Sequence, residues 1–289
     1  MEEEVIKEKK KMSLAKKIIL GIILAVILTI ASFVIYEVAT VNNTYYIGQK
    51  NLQIPIFVYH DIVEDKSQIE YDYMQTTVDQ FEKQIAGLMK LGYKPITYQD
   101  LVDYKDGKKA IPKWSCIITF DDGYTGVYKY AYEIAKKYNI PMTSFLIDDC
   151  VGIPGYYTWD EAREMHDSGL VSIYSHGLTH ARYNEVSKEE LVAQTEKAYE
   201  NLKTNLNDQN LLKVFTYPYG LYTEEERVAL ADAGFVQNLT DNRINLSNTF
   251  GIPFIFPSNN IIGLDDEVLS LNNLKIECIL TPGHTSGGM

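Results

Sequence analysis

The feature that most restricts this chain is an uncharged apolar segment of 19 residues at 18–36, IILGIILAVILTIASFVIY, interrupted only by Gly21, Thr29 and Ser32. That is the length a helix needs to cross hydrocarbon. Being apolar on every face, it does not read as a surface helix of a globular domain. A cleaved signal peptide has a shorter apolar region ending at an A-x-A-like site, which the IYEVATVNN flank does not offer. The reading is therefore an uncleaved anchor. Residues 1–17 carry Lys7, Lys9, Lys10, Lys11, Lys16 and Lys17 against four Glu, net +2, leaving −14 for the rest of a chain whose total is −12. The positive-inside rule keeps this basic segment cytoplasmic, so the remainder lies outside the cell membrane as a single-pass protein. Residues 37–52 read as a polar stalk.

Beyond the stalk, roughly 240 residues remain, enough for one large α/β domain with a full core. The acidic balance, with a sequence pI of about 4.9, argues against nucleic acid as a partner. Cys116, Cys150 and Cys278 are odd in number, far apart and without a C-x-x-C pair, which fits small apolar fillers rather than a disulfide framework or a zinc-thiolate site.

Seven short apolar runs alternate with amphipathic stretches: 54–60, 93–97, 115–120, 142–147, 170–175, 213–217 and 235–240. This is the pattern of βα repeats around a parallel sheet or barrel. Phe81, Ile85, Leu88 and Met89 recur at helical spacing before Gly92. Thr158 with Glu161, and Ser187 with Glu190, form capping boxes that open two further helices.

In such a barrel the working side chains come from the C-terminal ends of different strands. Four runs end in polar groups: Tyr59-His60-Asp61, Asp121-Asp122-Gly123, His176-x-x-x-His180 and Tyr217-Pro218-Tyr219-Gly220. Two imidazoles and a carboxylate on one rim make a catalytic zinc constellation with one position left open. Of the adjacent carboxylates, one can bind metal while its neighbour, turned away by strand geometry, takes a proton from water. A DDG after a strand is often only a turn, and H-x-x-x-H arises by chance; what carries weight is their convergence in a chain with five His. His166 follows no strand and reads as surface or packing. Tyr156, Tyr157 and Trp159, at a loop and helix start, are the aromatic candidates for a sugar subsite.

These residues resemble the polysaccharide deacetylases with a NodB homology domain, over roughly 52–250. Thr119-Phe120-Asp121-Asp122-Gly123 is similar to the family's first motif, Ser175-His176-Gly177-Leu178-Thr179-His180 to its second, and Tyr217-Pro218-Tyr219-Gly220 to its third. The resemblance implies a distorted (β/α)7 TIM-like barrel at 53–250. It makes Asp121 the general base, Asp122, His176 and His180 the ligands of Zn2+ or another divalent transition metal, and the Tyr219 N–H an oxyanion donor. Pro218, Gly220 and Trp159 become the expected substrate contacts. Two positions depart from the family: Thr216 stands where the third motif usually begins with Arg, and Gly177 where the second has Ser or Thr. The usual C-terminal Leu-x-His acid is also missing. The subgroup acting on poly-β-1,6-N-acetylglucosamine takes its acid His from an N-terminal Tyr-His-Asp segment and lacks that Arg, so His60 becomes the acid. The resemblance thus implies a metal-dependent N-deacetylase of an extracellular GlcNAc polysaccharide. The alternatives are peptidoglycan or chitooligosaccharide deacetylation, or a non-catalytic glycan-binding membrane protein.

Residues 251–289 do not continue this pattern. From Leu264-Asp265-Asp266-Glu267 to Thr281-Pro282-Gly283-His284-Thr285 they resemble a fragment of the metallo-β-lactamase fold. That family's H-x-H-x-D-H motif is absent, so His284 is not expected to bind metal, and the tail reads as the product of a truncated or fused reading frame.

Overall fold

The computed structural model describes residues 14–42, 44–45, 54–70, 74–238, 254–255, 268–271 and 274–277. They divide into an N-terminal unit up to Thr44 and a second unit from Tyr45 onward. The first is dominated by one helix, α1 (Leu14–Asn42), whose side chains from Leu14 to Tyr36 are exposed. Thr29 Oγ1 donates to the Ala25 carbonyl at 2.9 Å, so the polar group inside the apolar run is satisfied within the helix. α1 runs past the expected end at Tyr36, taking in the first six residues of the expected stalk. Between Gly21 and Asn42 there is neither Gly nor Pro to stop it.

The second unit is built on parallel strands. β1 is Ile56–Tyr59, β2 Asp61–Val63, β3 Gln75–Thr77, β4 Lys94–Pro95, β5 Ser115–Phe120, β6 Met142–Leu146, β7 Val171–Ser175, β8 Val214–Thr216, β9 Val236–Asn238 and β10 Phe254–Ile255. The main sheet runs β9-β8-β7-β6-β5-β1-β10, all parallel, curled into a half-barrel. Each of the seven expected runs becomes a strand. Continuous apolar runs such as β1 and β5 are buried along their whole length, as parallel strands covered on both faces must be.

The barrel is distorted near its start: β4 keeps only two residues, paired with Ser115 and Cys116, and β1 pairs directly with β5, from Ile56↔Ile117 to Tyr59↔Phe120. Three features lie outside the expectation: β2 and β3 form a separate parallel pair, Val268–Leu271 pairs antiparallel with Leu274–Glu277, and β10 extends the sheet beyond β1, past the expected domain end at residue 250. Side chains beyond Val236, including His284 and Cys278, lie outside the described residues.

The helices are α2 (Val78–Lys90), α3 (Tyr98–Lys105), α4 (Tyr132–Tyr138), α5 (Trp159–Asp167), α6 (Lys188–Leu206) and α7 (Glu224–Asp232). Reciprocal capping boxes open α2, α3, α5 and α7. At α6 only half of the expected box forms: Ser187 accepts the Glu190 N–H, while the Glu190 carboxylate accepts from Gln194 instead. Beneath the end of β1, Tyr59 packs between Phe81 and Phe120 at 4.9 and 5.5 Å, and its hydroxyl donates to Gln84 Oε1 at 2.7 Å. That buried cluster fixes the strand end that carries His60.

A candidate metal and acid-base centre at the strand ends

Because the strands are parallel, the residues that follow β1, β5, β7 and β8 emerge at one end of the sheet. Asp121 continues β5, its N–H donating to the Tyr59 carbonyl at 2.9 Å. Asp122 does not follow strand alternation as expected. It takes a left-handed backbone (φ 73), and this separates the two neighbouring carboxylates.

Asp122 Oδ1 lies 3.4 Å from His176 Nε2 and 3.3 Å from His180 Nε2, and the three ligand atoms fall within 4.8 Å of one another. His176 Nδ1 lies 3.0 Å from the Thr216 carbonyl; a proton there donates to that oxygen and leaves Nε2 as the lone pair facing Asp122. Thr216 therefore contributes through its main chain, which any residue could supply. The other departure also has a local reason. Gly177 has φ 94, and a Cβ there would stand 2.6 Å from the Tyr183 hydroxyl, which accepts the Leu178 N–H at 3.3 Å.

Asp122 Oδ1 is buried without a hydrogen-bond partner. A carboxylate oxygen orphaned in this way, with two imidazole nitrogens turned toward it, fits a divalent metal held by three protein ligands. Burial pulls the Asp122 carboxyl upward, but the two imidazoles outweigh it and hold it well below the usual range. Asp121 behaves oppositely: burial raises it, and the pull of His176 and His60 offsets this only in part. Its Oδ1 is also buried and unpartnered. His60, half-buried after β1, acts electrostatically on both carboxyls.

The turn after β8 lifts Tyr219 to the rim, 44% exposed, again left-handed at φ 60 and ψ 4. Its ring lies 4.5 Å from His180, and the Arg182 guanidinium carbon sits 4.7 Å above it. Pro218 and Gly220 are buried and shape that turn rather than face outward. Trp159 is half-buried with its ring packed on the core. Tyr157 is fully buried and bonded to Ser144 at 3.0 Å, so it belongs to the core and not to a subsite. Tyr156 is half-buried and stacks on Tyr124 at 5.0 Å. His166 meets Asp208 at 3.3 Å, away from the strand ends, as expected of a packing residue. Cys116 is a buried filler, whereas Cys150 is only half-buried.

Residues 108–237 match the polysaccharide deacetylase family. The chain carries a polysaccharide deacetylase domain. Its sequence is 30% identical to the Bacillus subtilis protein YxkH over 198 residues, covering 66% of each chain. It is 32% identical over 170 residues to the poly-β-1,6-N-acetyl-D-glucosamine N-deacetylase of Staphylococcus aureus, covering 54% of this chain and 57% of that one. The chain thus spans a little under two thirds of the first relative's length and little more than half of the second's. Among solved structures, the domain resembles the Streptococcus pyogenes deacetylase PplD (TM-score 0.63, 23% identity, 72% of this chain and 93% of that). It also resembles IcaB from Ammonifex degensii (TM-score 0.60, 24% identity, 71% and 90%). At these identities the structures speak for the fold of the deacetylase domain.

Sequence reasoning missed Arg182, Tyr183 and Tyr124. Each had a weak signal in its position beside a motif: Tyr124 directly after Gly123, Arg182 and Tyr183 just after His180.

Proposed function

We propose that this protein is a metal-dependent N-deacetylase that removes acetyl groups from GlcNAc units of an extracellular polysaccharide, with poly-β-1,6-N-acetylglucosamine as the polymer. The observation that carries this reading is the Asp122–His176–His180 cluster beside a second buried carboxylate, Asp121, whose Oδ1 has no hydrogen-bond partner. Zn2+ held by the three would supply Lewis acidity toward an amide carbonyl and lower the pKa of water in the site.

The chain's own groups divide the remaining work. Asp121, desolvated and therefore a stronger base than an exposed carboxylate, takes a proton from the attacking water at Oδ1. The Tyr219 N–H donates to the acetyl oxygen as it becomes negative, an effect of about 3 to 4 kcal/mol for one such donor. His60 gives a proton to the nitrogen as the amide C–N bond breaks, leaving glucosamine and acetate. Residues 18–36 hold the chain in the cell membrane with the deacetylase domain outside, supported by the net +2 of residues 1–17.

The test is acetate release by the full chain in detergent from β-1,6-linked GlcNAc oligomers, with chitin oligomers alongside, with zinc and with chelator. Zinc-dependent release from the β-1,6 series supports the reading. Release from chitin oligomers alone moves the substrate to a β-1,4-linked polymer, and none from a folded, zinc-loaded protein overturns deacetylation of both.

A further inference from the structure

Gly126 carries a constraint that its own conformation does not explain. Its backbone angles are φ −61 and ψ −25, which any residue adopts, yet a Cβ there would stand 2.0 Å from the Ile62 carbonyl oxygen and 2.5 Å from Asp61 Oδ1. Glycine is needed at this position for space, and β2 takes up that space. Gly126 lies on the segment that leaves the Asp121-Asp122-Gly123 turn, and β2 follows His60 directly. The close approach therefore joins two of the strand ends that build the centre.

The Asp61 side chain closes the joint. Its carboxylate accepts the Gly126 N–H, and its Oδ2 accepts from Gln75 Nε2 at 3.1 Å. The Asp61 N–H donates to the Met74 carbonyl at 3.1 Å, so main chain and side chain both tie Asp61 to the segment of β3. On the other side of His60, the Tyr59 carbonyl accepts the Asp121 N–H at 2.9 Å. His60 is thus bracketed: the residue before it and the residue after it are both hydrogen-bonded to the stretch 121–126 that carries Asp121 and Asp122. Bonds from N–H groups to an ionised carboxylate are about twice as strong as neutral ones, so the half-buried Asp61 makes a firm joint.

We propose that Asp61 is a positioning residue for the acid step: by holding Gly126 and Gln75 at once, its carboxylate fixes the placement of His60 relative to the Asp121-Asp122 turn. This rests on the role of His60 given under Proposed function. Asp61 acts through its neighbour and on one step, the transfer of a proton from His60 to the departing nitrogen. Attack on the carbonyl draws on Asp121, held by the Tyr59 carbonyl, and on the His176 ring, held by the Thr216 carbonyl, and neither bond involves the Asp61 side chain.

The test compares two substrates on the full, zinc-loaded chain in detergent. GlcNAc oligomers of either linkage lose an amine, which needs a proton to leave; para-nitrophenyl acetate loses a phenolate, which leaves without one. Asp61→Asn turns one acceptor oxygen into a donor that faces an N–H. It is expected to lower kcat on the oligomers about 100-fold with KM unchanged, and on the aryl ester by less than about threefold. His60→Ala is expected to show the same split, and adding Asp61→Asn to it should cost nothing further, because the group being placed is gone. Gln75→Leu removes one donor and leaves the charge, so a smaller split of about tenfold is expected, and this variant decides the matter if Asp61→Asn melts far below the parent. An equal loss on both substrates in a folded variant, or a loss that adds to that of His60→Ala, makes Asp61 a structural residue and overturns the proposal. His60→Ala without the split overturns the acid role of His60 and that of Asp61 with it, leaving the metal and base assignments standing. A folded parent inactive on both substrates overturns the deacetylase reading itself.

Discussion

The two ends of the same half-barrel solve one backbone problem in opposite ways. At the base, all six helices α2–α7 stop through a left-handed residue, and these are Gly92, Gly107, Asn139, Gly169, Asn207 and Gly234. Gly and Asn tolerate that conformation best, and no side-chain chemistry is asked of them. At the rim the left-handed positions include Asp122, His180 and Tyr219, the other three non-glycine residues with positive φ among the described residues. Each such residue costs of order 1 to 3 kcal/mol and persists only where surrounding contacts over-determine it. The chain tolerates strain where the side chain is needed to face the centre and avoids it where a turn alone is needed.

The largest expected effect comes from the rim. Asp121→Asn removes the base while preserving shape; acetate release is expected to fall about 10³-fold with zinc binding retained. Retained activity in that variant would falsify the assignment of Asp121. Next is the metal. At a hundredfold excess over Kd, zinc is expected to stabilise the fold by about 2.7 kcal/mol, read from denaturant curves with and without chelator. Asp122→Asn should abolish that difference, and an unchanged difference means the ion sits elsewhere.

A matched glycine pair sharpens the comparison of ends. Gly177→Ala combines a positive φ with a Cβ pressed on Tyr183, so a loss of about 2 kcal/mol or more is expected, together with most of the activity. Gly169→Ala has φ 72 but open space around the new methyl, so about 1 kcal/mol is expected with kcat unchanged. If both behave alike, the rim holds no special constraint. The smallest effect is at Arg182. An exposed cation–π contact is worth about 0.5 to 1 kcal/mol, so Arg182→Ala is expected to lower the melting temperature by no more than about 4 °C and kcat by about threefold through a less fixed Tyr219. A tenfold loss of stability instead would make Arg182 a structural residue.

Much of this was legible before any coordinates. The seven runs become strands because a parallel sheet covered on both faces demands continuous apolar stretches, which stand out in a sequence. Asp122, His176 and His180 could be picked out because each directly follows, or lies within five residues of, such a run. Less legible were β2 and β3, three residues each, and β10, two residues long, too short for any period to show. The half-formed box at Ser187 was unreadable for another reason: Gln194 competes for the Glu190 carboxylate, and the residue types allow either outcome. Tyr156 and Tyr157 are adjacent and alike in type, yet one stacks on Tyr124 and the other enters the core beside Ser144.

By itself the sequence determined the apolar segment, the strand runs, most helix starts and the residue types available for chemistry, because hydrophobic periodicity and capping depend on neighbours in the chain. Only the tertiary structure decided which carboxylate faces the imidazoles, through the backbone angle at Asp122. It also decided which nitrogen of His176 faces the centre, through a carbonyl 40 residues away, and which cation covers Tyr219. Those are set by dihedral angles and by contacts between distant segments, and no local pattern of residues encodes them.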